Sequence, residues 1–192
     1  MKFNYKQNRI IQVEDYKMKK IVISCMVVLM AFSLIACGTT SKETVSKGPE
    51  GTLSGVIDKI YEQKNTDLAL MTTDIDISDP DAVKNYTGIS DISKIKEATV
   101  SEAMISSQAY SLVLVRVNDN KDTKAVAEEM LNGVNQSKWI CVTADDLKVA
   151  GSGDTIMLIM LSTALADTAT ADDMVKAYEV VCGGNLEFTL DK

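Results

Sequence analysis

The chain has 192 residues, of which 27 are acidic and 20 basic, and it contains no histidine. The missing imidazole excludes Ser-His-Asp and Cys-His nucleophile activation and His-ligated zinc within this chain. The acidic balance, with no Lys/Arg cluster after residue 36, argues against nucleic acid as a partner.

Residues 1–17 are polar and mixed in charge, unlike the start of a secretory signal, and are read as a non-native extension, with the true start at Met18. Lys19-Lys20 precede a run of 16 residues, Ile21 to Ala36, broken only by Ser24, Cys25 and Ser33. A bilayer core needs about 20 apolar residues, so the run is short for a retained span, and residues 18–36 read as a cleaved signal peptide. The run closes on Leu34-Ile35-Ala36-Cys37, which resembles the lipobox of bacterial lipoproteins. That resemblance implies that Cys37 takes a diacylglyceryl group and becomes the mature N-terminus. The protein is then expected on the extracytoplasmic face of the cell membrane, where two acyl chains anchor durably.

Residues 37–50, rich in Ser, Thr, Lys and Gly, form the expected tether. Residues 1–36 hold six of the 20 Lys/Arg and two of the 27 Asp/Glu, so residues 37–192 carry 14 against 25, a net charge of −11. Such a domain is repelled by anionic headgroups and is better held above a membrane than laid upon it.

Residues 51–192 suffice for one hydrophobic core. Leu53, Val56, Ile57 and Ile60 recur at helical spacing and predict a first helix. A strand is expected over 68–77, then a short helix with Asp79 as cap, Pro80 at its first position and Gly88 at its end. Strands follow over 96–105 and 111–117, and Val126, Met130 and Val134 mark a helix opened by Asp122. Strands over 147–150 and 155–161 flank a turn at Gly151-Ser152-Gly153-Asp154. Met174, Ala177, Tyr178 and Val181 mark a last helix, with Thr170 and Asp173 as its capping box and Gly183-Gly184 as its stop. The expected class is α+β, an antiparallel sheet with helices packed on one face. Residues 96–136 and 147–183 suggest a duplicated strand-strand-helix unit. Leu112 to Val115 and Ile156 to Leu161 are almost wholly apolar and should be central strands.

Several local patterns imitate chemistry. Ser93-Lys94-Ile95-Lys96 matches S-x-x-K, but the companion S-D-N and K-T-G motifs are missing. Asp74, Asp76 and Ser78 match the first, third and fifth ligands of a calcium loop, but Asp79, Pro80 and Asn85 stand where glycine, a carbonyl ligand and a bidentate glutamate belong. The glycine-rich turn lacks a phosphate-loop continuation. No catalytic residue, cofactor or metal site is therefore expected. Asp145-Asp146 and Asp74/Asp76 are the candidate acids of the alternative reading, a carboxylate-dependent envelope hydrolase or transferase. Cys141 and Cys182 either form the single available disulfide or remain buried free thiols.

From Leu53 to about Val181 the chain resembles domain-of-unknown-function family 4358, found on lipoproteins of Gram-positive anaerobes. The resemblance rests on the order of elements and on Tyr86-Thr87-Gly88-Ile89, Met104 to Ala109, and the strand begun from Gly153. It implies fold and placement but no activity. The expectation is a non-enzymatic binding or scaffolding module of the cell envelope, with an envelope protein, peptide or wall polymer as partner.

Overall fold

The computed structural model describes residues 47–192. The expected extension, signal peptide and lipidated Cys37 lie outside the described residues.

Helix α1 (Leu53–Gln63) begins where Thr52 Oγ1 accepts the Gly55 N–H at 3.2 Å, and it buries Leu53, Val56, Ile57 and Ile60. Strand β1 (Leu70–Asp74) leads to α2 (Pro80–Thr87), whose first turn is capped by the Asp79 carboxylate and whose end is closed by Gly88 at φ +79°. A 3-10 turn at Ile92–Lys94 precedes β2 (Ile95–Ala103) and β3 (Tyr110–Val117). Then come α3 (Thr123–Gly133), β4 (Asp146–Ser152), β5 (Thr155–Leu161), α4 (Ala171–Val181) and β6 (Phe188–Asp191). Ser152 pairs with Thr155, so Gly153-Asp154 is a two-residue hairpin connection with Gly153 at φ +59°.

The six strands form one antiparallel sheet in the order β1-β2-β3-β5-β4-β6, and the class is α+β as expected. All residues of β3 and β5 are buried, as their apolar runs predict for central strands. Alternation divides them. Val113, Val115, Ile156 and Leu158 face one core with Val83 of α2 and Val126, Ala127 and Met130 of α3. Leu112, Leu114, Met157 and Ile159 face the other, with the buried residues of α1 and α4.

The helices therefore cover both faces, which corrects the one-face arrangement. The connections supply the reason. β3 reaches its parallel neighbour-but-one β4 through α3, and β5 reaches β6 through α4, both stepping the same way across the sheet. Because β3 and β5 run in opposite directions, two crossovers of one hand must place their helices on opposite faces. The same fact removes the duplicated unit: a rotation carrying β2–β3 onto β4–β5 would leave α3 and α4 on one face.

Smaller differences are local. Strand β6 pairs residues 188–191 with β4 and had no strand expectation, being four residues at a sheet edge. Asp122 makes no capping bond at α3; Thr123 donates instead to the Gly153 carbonyl at 2.8 Å. Thr170 does cap α4, accepting the Asp173 N–H at 3.1 Å. Among the described residues no helix is long and apolar enough to cross a membrane.

Gly88 joins α2 to α3 at van der Waals contact: a Cβ there would collide with the backbone of Gly133 and Val134, at a positive φ. Gly88→Ala is expected to cost about 2 kcal/mol or more, through αL strain and displacement of α2 from α3. Urea unfolding checks this; an unchanged midpoint would show that the contact relaxes freely.

Candidate functional site

Arg116 is the one charged residue of β3, at the strand's C-terminal end, and only 11% of its side chain is exposed. A guanidinium removed from water is tolerated only where its N–H groups find acceptors. Here Nη2 donates to the Pro49 carbonyl at 3.0 Å, and both terminal nitrogens reach the Gly51 carbonyl at 3.2 Å. Nη1 also meets Glu97 Oε1, and Nε meets Thr155 Oγ1 at 3.3 Å and Asp154 Oδ2 at 3.7 Å. The segment entering the domain is thus tied to β2, β3 and the β4–β5 turn by one side chain. The fit is close at Gly48, where a Cβ would fall 2.7 Å from Thr155 Oγ1 and 2.8 Å from the Ser152 carbonyl.

Beside this tie lies a cleft of about 330 Å³ whose charged and polar lining includes Lys47, Glu50, Lys96, Asn120 and Asp154. With Arg116 the lining carries three cations against two carboxylates, and Glu97, bonded to Arg116, offsets the third. Arg116 is saturated by protein acceptors, so it works as a clasp and has no free fork for an anion.

At the opposite end of the sheet, Lys138 is the second desolvated cation, with 9% of its side chain exposed. Its Nζ lies 2.5 Å from Glu102 Oε1 and about 5 Å from the ring centroids of Tyr86 and Trp139. This contact holds the 134–145 connection against β2 and α2.

The candidate acids are dispersed into separate structural bonds. Asp74 accepts from Thr99 Oγ1 at 2.7 Å, Asp76 from Ser78 N and Oγ at 2.9 and 2.7 Å, and Asp79 from Asp81 N and Ala82 N at 3.0 and 3.2 Å. Asp145 accepts from Thr163 Oγ1 and N, both at 2.7 Å, which holds its carboxyl below the usual range. Asp146 accepts from Ala171 N at 2.9 Å, so the pair staples the start of β4 to the β5–α4 connection. Among the described residues no three His, Cys, Asp or Glu side chains converge as a metal site.

Ser93 Oγ is bonded to Asp91 at 2.6 Å, and Lys96 stands apart in the cleft, so the S-x-x-K pattern is not assembled. The glycine-rich turn is the β4–β5 hairpin. Both Cys141 and Cys182 are free thiols. Cys141 is exposed at φ +63°, which corrects the expectation that it is buried, while burial pushes the Cys182 thiol up. Comparison with family models, curated proteins and solved structures finds no match.

Sequence reasoning passed over Arg116 and Lys138, the two cations with largely desolvated side chains described above. Arg116 carried a usable signal, a lone charge inside the apolar run Leu112 to Val117. Lys138 carried none beyond its neighbour Trp139, because Tyr86 and Glu102 reach it only through the fold.

Two outcomes follow. Arg116→Lys keeps the charge but loses the fork, so it should lower stability by about 2 kcal/mol and speed tryptic cleavage after Lys47. Cleavage at the parental rate would mean that the segment is held by other contacts. Burial also raises the Tyr61 hydroxyl and, by more, those of Tyr110 and Tyr178. Raised folded values favour the neutral form, so their contribution is intact below about pH 10 and is lost as pH rises further. Ultraviolet titration should show Tyr110 and Tyr178 ionising only with unfolding; ionisation in the folded chain would contradict their burial.

Proposed function

We propose that this protein is a lipid-anchored, extracytoplasmic binding or scaffolding module of the cell envelope, not an enzyme. The observation that carries the reading is Lys19-Lys20, the apolar run to Ala36 and the closing Leu34-Ile35-Ala36-Cys37. A diacylglyceryl Cys37 would hold the chain at the membrane, and the ten residues from there to Lys47 would reach at most about 35 Å.

The fate of the candidate carboxylates favours binding over catalysis. Asp74, Asp76, Asp145 and Asp146 are each engaged by a neighbouring hydroxyl or backbone N–H. Acid/base work needs paired groups whose environments drive their pKa values apart, and these acids serve a cross-strand bond, a turn and the β4 to β5–α4 staple. The clasp at Arg116 is consistent with an anchored domain, because any pull on the tether would meet Pro49 and Gly51 at a multiply bonded side chain.

The test is expression of the full chain in a Gram-positive host with labelled palmitate. The wild type should carry label, fractionate with membranes and yield a mature N-terminus at Cys37, whereas Cys37→Ser should carry no label. An unlabelled wild-type protein, or one whose mature chain begins elsewhere, would defeat the anchoring reading.

A further inference from the structure

The two edges of the sheet are unequal. Strand β6 is short and ends beside Lys192, whereas β1 leaves Met71, Thr72, Thr73 and Asp74 all exposed. Edge strands are commonly blunted by charge, short length, proline or a bulge; β1 has five residues and one charge, Asp74 at its end, and Leu70 to Asp74 contains no proline, lysine or bulge.

The register shows which backbone groups are free. Ala69 O accepts from Met104 N, and Ile75 N donates to Ala98 O, both at 2.9 Å. Odd-numbered residues of β1 therefore bond β2, while Leu70, Thr72 and Asp74 direct N–H and C=O outward. Among the described residues nothing pairs with that outer edge.

The side chains indicate what would suit it. Met71 is 59% exposed, and Met104 and Ile105, just past the paired strand, are 67% and 51% exposed. Asp74 projects from the opposite face to Met71, and Asp67, Asp74 and Asp76 bracket the strand with no cation in salt-bridge contact among the described residues.

We propose that β1 is a strand-addition site for an extended segment of a partner protein that alternates apolar and basic residues. Backbone groups of the incoming strand bond Leu70, Thr72 and Asp74; its apolar side chains lie beside Met71 and its basic ones meet Asp74 and the flanking carboxylates. A second copy fits less well. Antiparallel self-pairing about Thr72 sets Leu70 against Asp74 and brings together two chains that each carry −11 over residues 37–192. The inference rests on the binding-module reading above and deepens it, but its test does not depend on lipidation, so either can fail alone.

The probe is a short synthetic peptide alternating lysine with valine, added to the purified full chain in detergent, with a glutamate-valine peptide as control. The lysine peptide should bind, weaken with salt, and slow hydrogen exchange at Leu70, Thr72 and Asp74, leaving Met71 and Thr73 unchanged. Thr72→Pro removes an outward N–H without touching the β2 ladder, and Thr72→Lys leaves the backbone intact but adds a repelling charge. Each should weaken binding by about tenfold or more. Binding unaffected by both substitutions, equal binding of the two peptides, or none at millimolar peptide would overturn the proposal. A dimer in sedimentation that Thr72→Lys abolishes would assign the edge to a second copy and overturn it equally.

Discussion

Everything in this domain depends on β3 and β5 being buried on both faces. Each strand contributes side chains to two cores, so neither face of the sheet can be left to water. Burying one such side chain is worth about 1.5–3 kcal/mol, and the many involved here make single-sided packing untenable. Two helices on each face meet this requirement. The crossovers place α3 and α4 on opposite faces, since β3 and β5 run antiparallel and each sends its helix over the sheet in the same direction.

Arg116 is the exception inside this apolar pair, and its position explains why it is tolerated. At the end of β3 its guanidinium reaches two carbonyls of the entering segment and two carboxylates, so it arrives in the interior already partnered. Glu97 and Asp154 remain partly exposed, so solvent screens the ionic part of the arrangement. The geometric part, a planar fork holding Pro49 and Gly51 against the sheet, is what Lys could not reproduce. Lys138 does related work at the other end, where an ammonium beside Glu102 and two aromatic rings ties a loop to the sheet.

The two ends consequently differ in character. The entry end is polar, and its cations are offset by neighbouring acids. Among the described residues, four of the five large exposed apolar side chains, Met71, Met104, Ile105 and Ile140, belong to the start of β1 and to the connections at the other end. Isolated exposed apolar residues are ordinary on protein surfaces, but their grouping beside an unprotected strand edge is the arrangement through which a sheet accepts another chain.

The sequence by itself determined the elements whose cause is local. Apolar spacing placed α1 and α4, Asp79-Pro80 and Gly88 bounded α2, and Thr155 to Leu161 was legible as a strand because the six positions from Ile156 to Leu161 are all apolar. The α+β class followed from their order. Tertiary structure decided what depends on direction in space. It placed α3 and α4 on opposite faces, brought Arg116 to residues 49 and 51, and gave each of the neighbouring acids Asp145 and Asp146 its own structural bond to the β5–α4 connection. Periodicity reports which side of an element is buried and is silent on which side of the sheet receives it; that depends on the hand of a crossover. For the same reason the carboxylates could be counted from the sequence, but their roles could not be assigned, because each role is set by a hydroxyl or N–H that only folding brings within bonding distance.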